Sequence, residues 1–130
     1  MFVRDSIYPH HLPVVKSEPR WERVSSVNDA PHARTGHACA SYGDMIYMFG
    51  GTDGQYHYND TWCFDPRSQR WSELQCIGFI PAPREGHSVA VVDDLIYIFG
   101  GRGVDGKDLD DLAGFRISSG FRLLLSCFLY

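Results

Sequence analysis

Two quartets of this chain carry the residue types that most often do chemistry: Arg34-Thr35-Gly36-His37 and Arg84-Glu85-Gly86-His87. An imidazole next to a guanidinium could move a proton or hold an anion. A catalytic group is needed once, however, and this one occurs twice in the same context, as a building element does in a repeated unit. His37 and His87 therefore read as structural. Arg34 and Arg84 read the same way, paired with acidic neighbours, with recognition of a ligand as the alternative. His37-Ala38-Cys39 and His10-His11 contain metal-binding atom types, but no second ligand pair stands at zinc-like spacing. The acidic stretch Asp105-Gly106-Lys107-Asp108-Leu109-Asp110-Asp111 lacks the ligand order and the distal glutamate of a calcium loop. Gly100-Gly101-Arg102-Gly103 is not followed by the Gly-Lys-Ser/Thr of a phosphate loop, and no Gly-x-Ser-x-Gly elbow is present. The expectation is no catalytic residue, no metal and no cofactor.

The quartets open two longer stretches that nearly repeat each other. Pro31–Gly51 and Pro81–Gly101 align without a gap and share 11 of 21 residues, among them Asp44/Asp94, Tyr47/Tyr97, Phe49/Phe99 and the pairs Gly50-Gly51/Gly100-Gly101. The same offset links Trp21 to Trp71. A period of about 50 residues with strand-like content marks a propeller blade.

The elements that must position these residues follow from local pattern. His37–Tyr42 and Met45–Phe49 read as strands joined by the tight turn Gly43-Asp44. The five apolar residues from Met45 to Phe49 imply a strand buried on both faces. Gly50-Gly51 supplies positive φ at the strand exit. A polar loop, Thr52–Tyr58, leads to a third strand, Thr61–Phe64. The turn Asp65-Pro66-Arg67-Ser68 then leads to a fourth, Trp71–Gln75. The second unit repeats the plan with His87–Val92, Leu95–Phe99, a loop Arg102–Leu109 that is one residue longer, and Leu112–Ile117. Trp21–Val24 is expected as a short trailing strand of a preceding unit, and residues 1–19 as an irregular leader.

Bulk properties set bounds on partners. The chain has 130 residues, a net charge of −4 and scattered Lys and Arg, which argues against a nucleic-acid footprint. Cys39, Cys63, Cys76 and Cys127 form no CxxC pair, and a reducing compartment fits them. No secretory signal pattern opens the chain, so the sequon Asn59-Asp60-Thr61 carries no glycosylation expectation. The apolar run Phe121–Tyr130 has 10 residues, short of the roughly 20 a spanning helix needs.

Taken together, Arg-x-Gly-His, an apolar strand ending in Gly-Gly, Asn59-Asp60 before a third strand and Trp71 in a fourth resemble the kelch repeat. The second unit has Asp110-Asp111 for Asn-Asp and lacks the tryptophan. The resemblance spans residues 20–118. It implies an all-β, partial kelch-type propeller of about two four-stranded antiparallel meander blades: 20–30 as the trailing strand, 31–76 as a full repeat, and 81–118 as an incomplete one. Arg34, Gly36, His37, Gly50, Gly51, Trp71, Arg84, Gly86, His87, Gly100 and Gly101 become its structural repeat positions. More narrowly, the stretch Glu73–Leu109 resembles fungal cell-end-marker proteins, the kelch proteins of cell polarity. That resemblance implies a non-enzymatic scaffold in the cytoplasm, at the cell cortex or cell ends, linked to the cytoskeleton. The alternatives are a galactose-oxidase-like copper enzyme, whose Tyr, His and Tyr-Cys cluster cannot be assembled here, and the substrate-receptor part of a ubiquitin-ligase adaptor, for which the leader is too short to hold a dimerisation domain.

Closed propellers use about 4–8 blades, so the chain reads as a fragment. Residues 119–130 diverge from the pattern and read as a foreign apolar tail, or else as a degenerate fourth strand over Arg122–Phe128. Bare blade faces imply poor solubility or self-association. Strands that alternate in direction put the loops Thr52–Tyr58 and Arg102–Leu109 on the same face as the connectors Asn28–Arg34 and Gly78–Arg84. Protein contacts are expected there, through Tyr56, His57, Tyr58, Arg102, Asp105 and Lys107, because interfaces enrich aromatic residues and arginine.

Overall fold

The computed structural model describes residues 18–117 and the backbone of 125–129. Residues 1–17 of the leader, His10-His11 among them, and the remainder of the tail lie outside the described residues.

The first blade is the expected meander. Its strands are β1 (Ala38–Tyr42), β2 (Met45–Phe49), β3 (Thr61–Asp65) and β4 (Arg70–Leu74), hydrogen-bonded in that order and antiparallel throughout. The β1–β2 hairpin closes through Gly43 at φ +57, and its counterpart in the second blade closes through Asp93 at φ +53. Two-residue hairpins need a left-handed backbone at that point, and aspartate is one of the few side chains that enter it readily.

The remaining strands are β5 (Cys76–Gly78), β6 (Arg84–Glu85), β7 (Ser88–Val92), β8 (Leu95–Phe99), β9 (Arg102–Gly103), β10 (Leu112–Arg116) and β11 (Leu125–Leu129). The second sheet runs β7-β8-β10-β11-β5, and β6 pairs with β9 in a small two-stranded sheet. β8 and β10 pair with the register of β2 and β3, so Gly114 faces Tyr97 where Cys63 faces Tyr47.

Two expectations are corrected. Trp21–Val24 forms no strand, and Trp21 is fully exposed at 102%. No strand among the described residues lies beside it to complete its hydrogen bonds. Of the two readings of the tail, the degenerate fourth strand is the one observed: Leu125–Leu129 pairs antiparallel with β10. The sheet is also not a pure meander. β5, in the connector between blades, runs parallel to β11 with Cys76, Ile77 and Gly78 opposite Leu125, Ser126 and Cys127.

The core lies between the sheets. Tyr47, Cys63 and Leu74 from the first blade meet Ile96, Phe115 and Ile117 from the second. The Tyr47 and Phe115 rings pack with centroids 6.2 Å apart. Along each strand alternate residues point to opposite faces. Hence Tyr47 and Phe49 look toward the second blade, while Ile96 and Ile98 look back toward the first. A small apolar cavity of about 30 Å³ remains between them. The innermost strands β1 and β7 lie side by side, as neighbouring blades require.

Candidate functional site

The recurring arginines are staples inside each blade. Arg84 is almost completely buried, at 1% exposure. Its Nη1 and Nη2 donate to the two oxygens of Asp111 at 2.5 and 2.7 Å, Nη1 also donates to the Gly100 carbonyl at 3.0 Å, and Nε to the Ala82 carbonyl at 3.1 Å. Arg34 repeats every contact: Asp60 at 2.5 and 3.0 Å, the Gly50 carbonyl at 3.1 Å and the His32 carbonyl at 3.1 Å. The planar guanidinium fork suits this bidentate grip as lysine could not. The Asp111 carboxyl is held below its ordinary range, chiefly by the Arg84 hydrogen bond. At Asp60 burial pushes the carboxyl up, but hydrogen bonds from Arg34 and from the Trp62 indole, at 2.7 Å, leave it lowered overall. Four hydrogen bonds from each arginine go to partners inside the fold, which supports the structural reading over ligand recognition at the loop mouths.

The glycine pairs seat one blade on the next. A Cβ at Gly50 would come within 2.9 Å of both the Arg84 carbonyl and the His87 ring, so no other residue fits there. Gly51 N–H donates to the Arg84 carbonyl at 2.8 Å, Arg84 N–H to the Tyr58 carbonyl at 3.2 Å, and Gly86 N–H to the Gly36 carbonyl at 2.8 Å. The buried His87 ring stands edge-on to Phe49, with centroids 5.4 Å apart. Desolvation pushes its imidazole down, so the ring packs as a neutral, largely apolar plate.

These contacts carry the loops. Thr52 bridges to both Thr35 and His57. Thr52 Oγ1 donates to the Tyr56 carbonyl at 2.6 Å, and Asp53 accepts from the N–H groups of Gln55 and Tyr56 at 2.9 and 2.7 Å. The Tyr56 N–H, the Tyr58 hydroxyl and the Gln55 N–H together hold the Asp53 carboxyl down at about 2. Tyr56 is thus presented outward, well exposed, on a rigid turn. Tyr58 is half-buried and committed: its hydroxyl donates to Asp53 at 2.7 Å and its ring lies over the Arg34 guanidinium at 3.9 Å. His57 Nε2 is 3.4 Å from a Glu85 carboxylate oxygen, an ion pair only when the imidazole is protonated.

In the second loop Arg102 pairs through its backbone with Glu85 and holds Asp108 at 3.5 Å. Asp105 accepts from the Lys107 N–H at 3.0 Å, and the Lys107 ammonium lies 4.0 Å away from the same carboxylate. Glu85, absent from the expected contact set, is where the loops converge: its side chain reaches His57 and its backbone pairs with Arg102. Its signal was its place in the second quartet, where the first has Thr35. Beside it an open cleft of about 530 Å³ is lined by Gly36, Glu85, Gly86, Phe99, Arg102 and Asp108.

Among the described residues no three His, Cys, Asp or Glu side chains cluster to hold a metal ion, and Cys39 and Cys63 are free thiols. Tyr47 lies opposite Cys63, and burial, then that thiol, pushes its phenol up to about 12, so it stays neutral. No helix among the described residues is long and apolar enough to cross a membrane.

Antiparallel blades, arginine–aspartate staples and glycine seats that recur in register define a kelch-repeat protein. Residues 10–120 match the KLHDC2/KLHL20/DRC7 Kelch-repeats domain, and the chain belongs to the kelch-repeat family. It is similar to Tip elongation aberrant protein 1 of Schizosaccharomyces pombe, with 65% identity over 103 residues that cover 79% of this chain and 9% of that protein.

Proposed function

We propose that the chain is a non-enzymatic interaction module of a cell-polarity scaffold that works in the cytoplasm at the cell cortex and binds protein partners through its loop face. The observation that carries this reading is the 65% identity to a protein named for tip elongation. The loop geometry supports it: Tyr56 projects from a turn braced by Thr52 and Asp53, and Arg102 and Lys107 stand exposed in the second loop. An exposed aromatic on a rigid support loses little entropy when a partner covers it, which is what an interface anchor requires. Tyr58 and His57 act from behind, one bracing the loop and the other joining it to Glu85.

The test is a chimaera in fission yeast. The matched segment of Tip elongation aberrant protein 1 is replaced by its counterpart from this chain, and the shape of growing tips is scored. Normal elongation with the chimaera, lost on Tyr56→Ala at unchanged protein level, is the expected result. Aberrant tips with a stably expressed chimaera would refute the reading.

A further inference from the structure

The connector from the first blade to the second leaves bulky apolar side chains in water. It runs from β4 through β5 to β6, and both blades that flank it lie within the chain. Pro81 is buried, yet Phe79 and Ile80 just before it are 41% and 45% exposed. Hydrogen bonds hold this stretch beside the first loop. The Asn59 amide donates to the Pro81 carbonyl at 3.2 Å, and the Arg84 N–H donates to the Tyr58 carbonyl at 3.2 Å. That loop carries Tyr56, 61% exposed. Apolar side chains scattered singly over a surface are ordinary, whereas a group of them rimmed by polar residues marks an interaction site.

The uncompensated charges around this group have one sign. The connector from Cys76 to Pro83 has no charged residue. Arg34 and Arg84 are matched by Asp60 and Asp111. Arg102 and Lys107 are matched by Asp108 and Asp105. Asp53 has neutral donors only, the N–H groups of Gln55 and Tyr56 and the Tyr58 hydroxyl. Glu85 faces His57, which is a cation only when protonated. The aromatic rings here also suit a cation. Tyr58 already holds the Arg34 guanidinium 3.9 Å over its ring, and Tyr56 offers a ring of the same kind to solvent.

We infer that Tyr56, Phe79 and Ile80 receive a cationic, apolar peptide segment of a partner protein, whose Lys or Arg side chains answer Asp53 and Glu85. The inference rests on the proposed loop-face reading and adds the chemistry of the partner. Apolar side chains of the segment cover Phe79 and Ile80, and a guanidinium or ammonium lies over Tyr56. An acidic segment would meet carboxylates that no cation offsets, which costs affinity and excludes it.

The probe is a fluorescein-labelled peptide that alternates leucine and arginine, read by anisotropy with the 130-residue chain. Two controls carry glutamate for every arginine, or serine for every leucine. The leucine–arginine peptide should bind, more weakly as salt is added, and both controls should bind at least about tenfold more weakly. Phe79→Ser and Glu85→Gln should each lower its affinity by a similar factor, and Glu85→Lys should shift preference toward the glutamate peptide. Phe99→Ser, at a site away from the connector, should change nothing. As a check independent of variant folding, a benzophenone in the peptide should crosslink to the tryptic fragment 71–84 of the native chain, which contains Phe79 and Ile80. Equal binding of the glutamate peptide, full affinity in Phe79→Ser, dependence on Phe99 instead, or crosslinks confined to other fragments would each overturn the inference. None of these results bears on the tip-elongation reading, which the chimaera tests by itself.

Discussion

The carboxamide of Asn28 takes the place of a peptide group beside Trp71. Its Nδ2 donates to the Trp71 carbonyl at 2.7 Å and its Oδ1 accepts from the Trp71 N–H at 2.9 Å. One residue earlier, Val27 N–H donates to the Gln69 carbonyl at 3.0 Å. The segment leading into the first blade is therefore pinned at the start of the outer strand β4, and in the second blade β5 runs parallel along β11. An outer strand left open is a template for unwanted pairing; β5 covers three residues of it in the second blade, and Asn28 caps its start in the first.

Asn28→Ala removes both bonds and should destabilise the first blade by about 1 kcal/mol. Asn28→Asp should do no better, because a carboxylate cannot donate and would face the Trp71 carbonyl. Urea unfolding followed by tryptophan fluorescence measures both, at fixed protein concentration.

Arg84→Ala leaves Asp111 without its counter-ion and should cost about 3 kcal/mol or more, as expected when one partner of a buried pair is removed. Arg84→Lys should recover little, since an ammonium cannot span both carboxylate oxygens and the Gly100 carbonyl. Equal stability of the lysine variant and the native chain in urea would show that the fork geometry is unimportant.

Gly50 and Gly54 both have positive φ, +68 and +91. A Cβ at Gly54 meets open space, whereas at Gly50 it meets the second blade. Gly54→Ala should cost roughly 1 kcal/mol of backbone strain, and Gly50→Ala roughly 3 kcal/mol or more because the seam must also open. Thermal melts of the two variants separate strain from steric exclusion.

Stability should fall as pH drops below the ordinary imidazole value of 6.5, because burial holds the folded His87 below it. In that window the unfolded chain binds the proton and the folded chain does not, so protons favour unfolding until the folded imidazole also titrates. The lowered carboxyls of Asp60 and Asp111 act in a separate window: their stabilisation is complete above about pH 4 and is lost below it as the folded carboxylates protonate. His87→Gln should flatten the upper window alone, read as the urea midpoint at several pH values.

Much of the fold was readable because the repeat supplies two views of each element. Met45–Phe49 and Leu95–Phe99 were assigned with their observed bounds, since apolar runs between a turn and Gly-Gly leave little freedom. The parallel β5 was not readable. Three residues carry no periodicity, and their partner lies 49 positions along the chain, from Cys76 to Leu125. Within the site, the recurrence of arginine was read as structural, but its partners were not named. Asp60 and Asp111 also recur, in Asn59-Asp60 and Asp110-Asp111, but they lie 26 and 27 residues from their arginines, and no local pattern links residues that far apart. Tyr58 was grouped with Tyr56 as a contact residue. Composition cannot tell an aromatic turned inward over a guanidinium from its exposed neighbour two positions away.

The duplicated slots turn the molecule into its own reference sample. Ile46 and Ile96 share side chain and strand position and are each followed by tyrosine, and differ in burial, 37% against 6% exposed. Any signal that senses wetting, recorded once on one tube, therefore reports the same methyl group shielded and unshielded, without a mutation and without a second preparation.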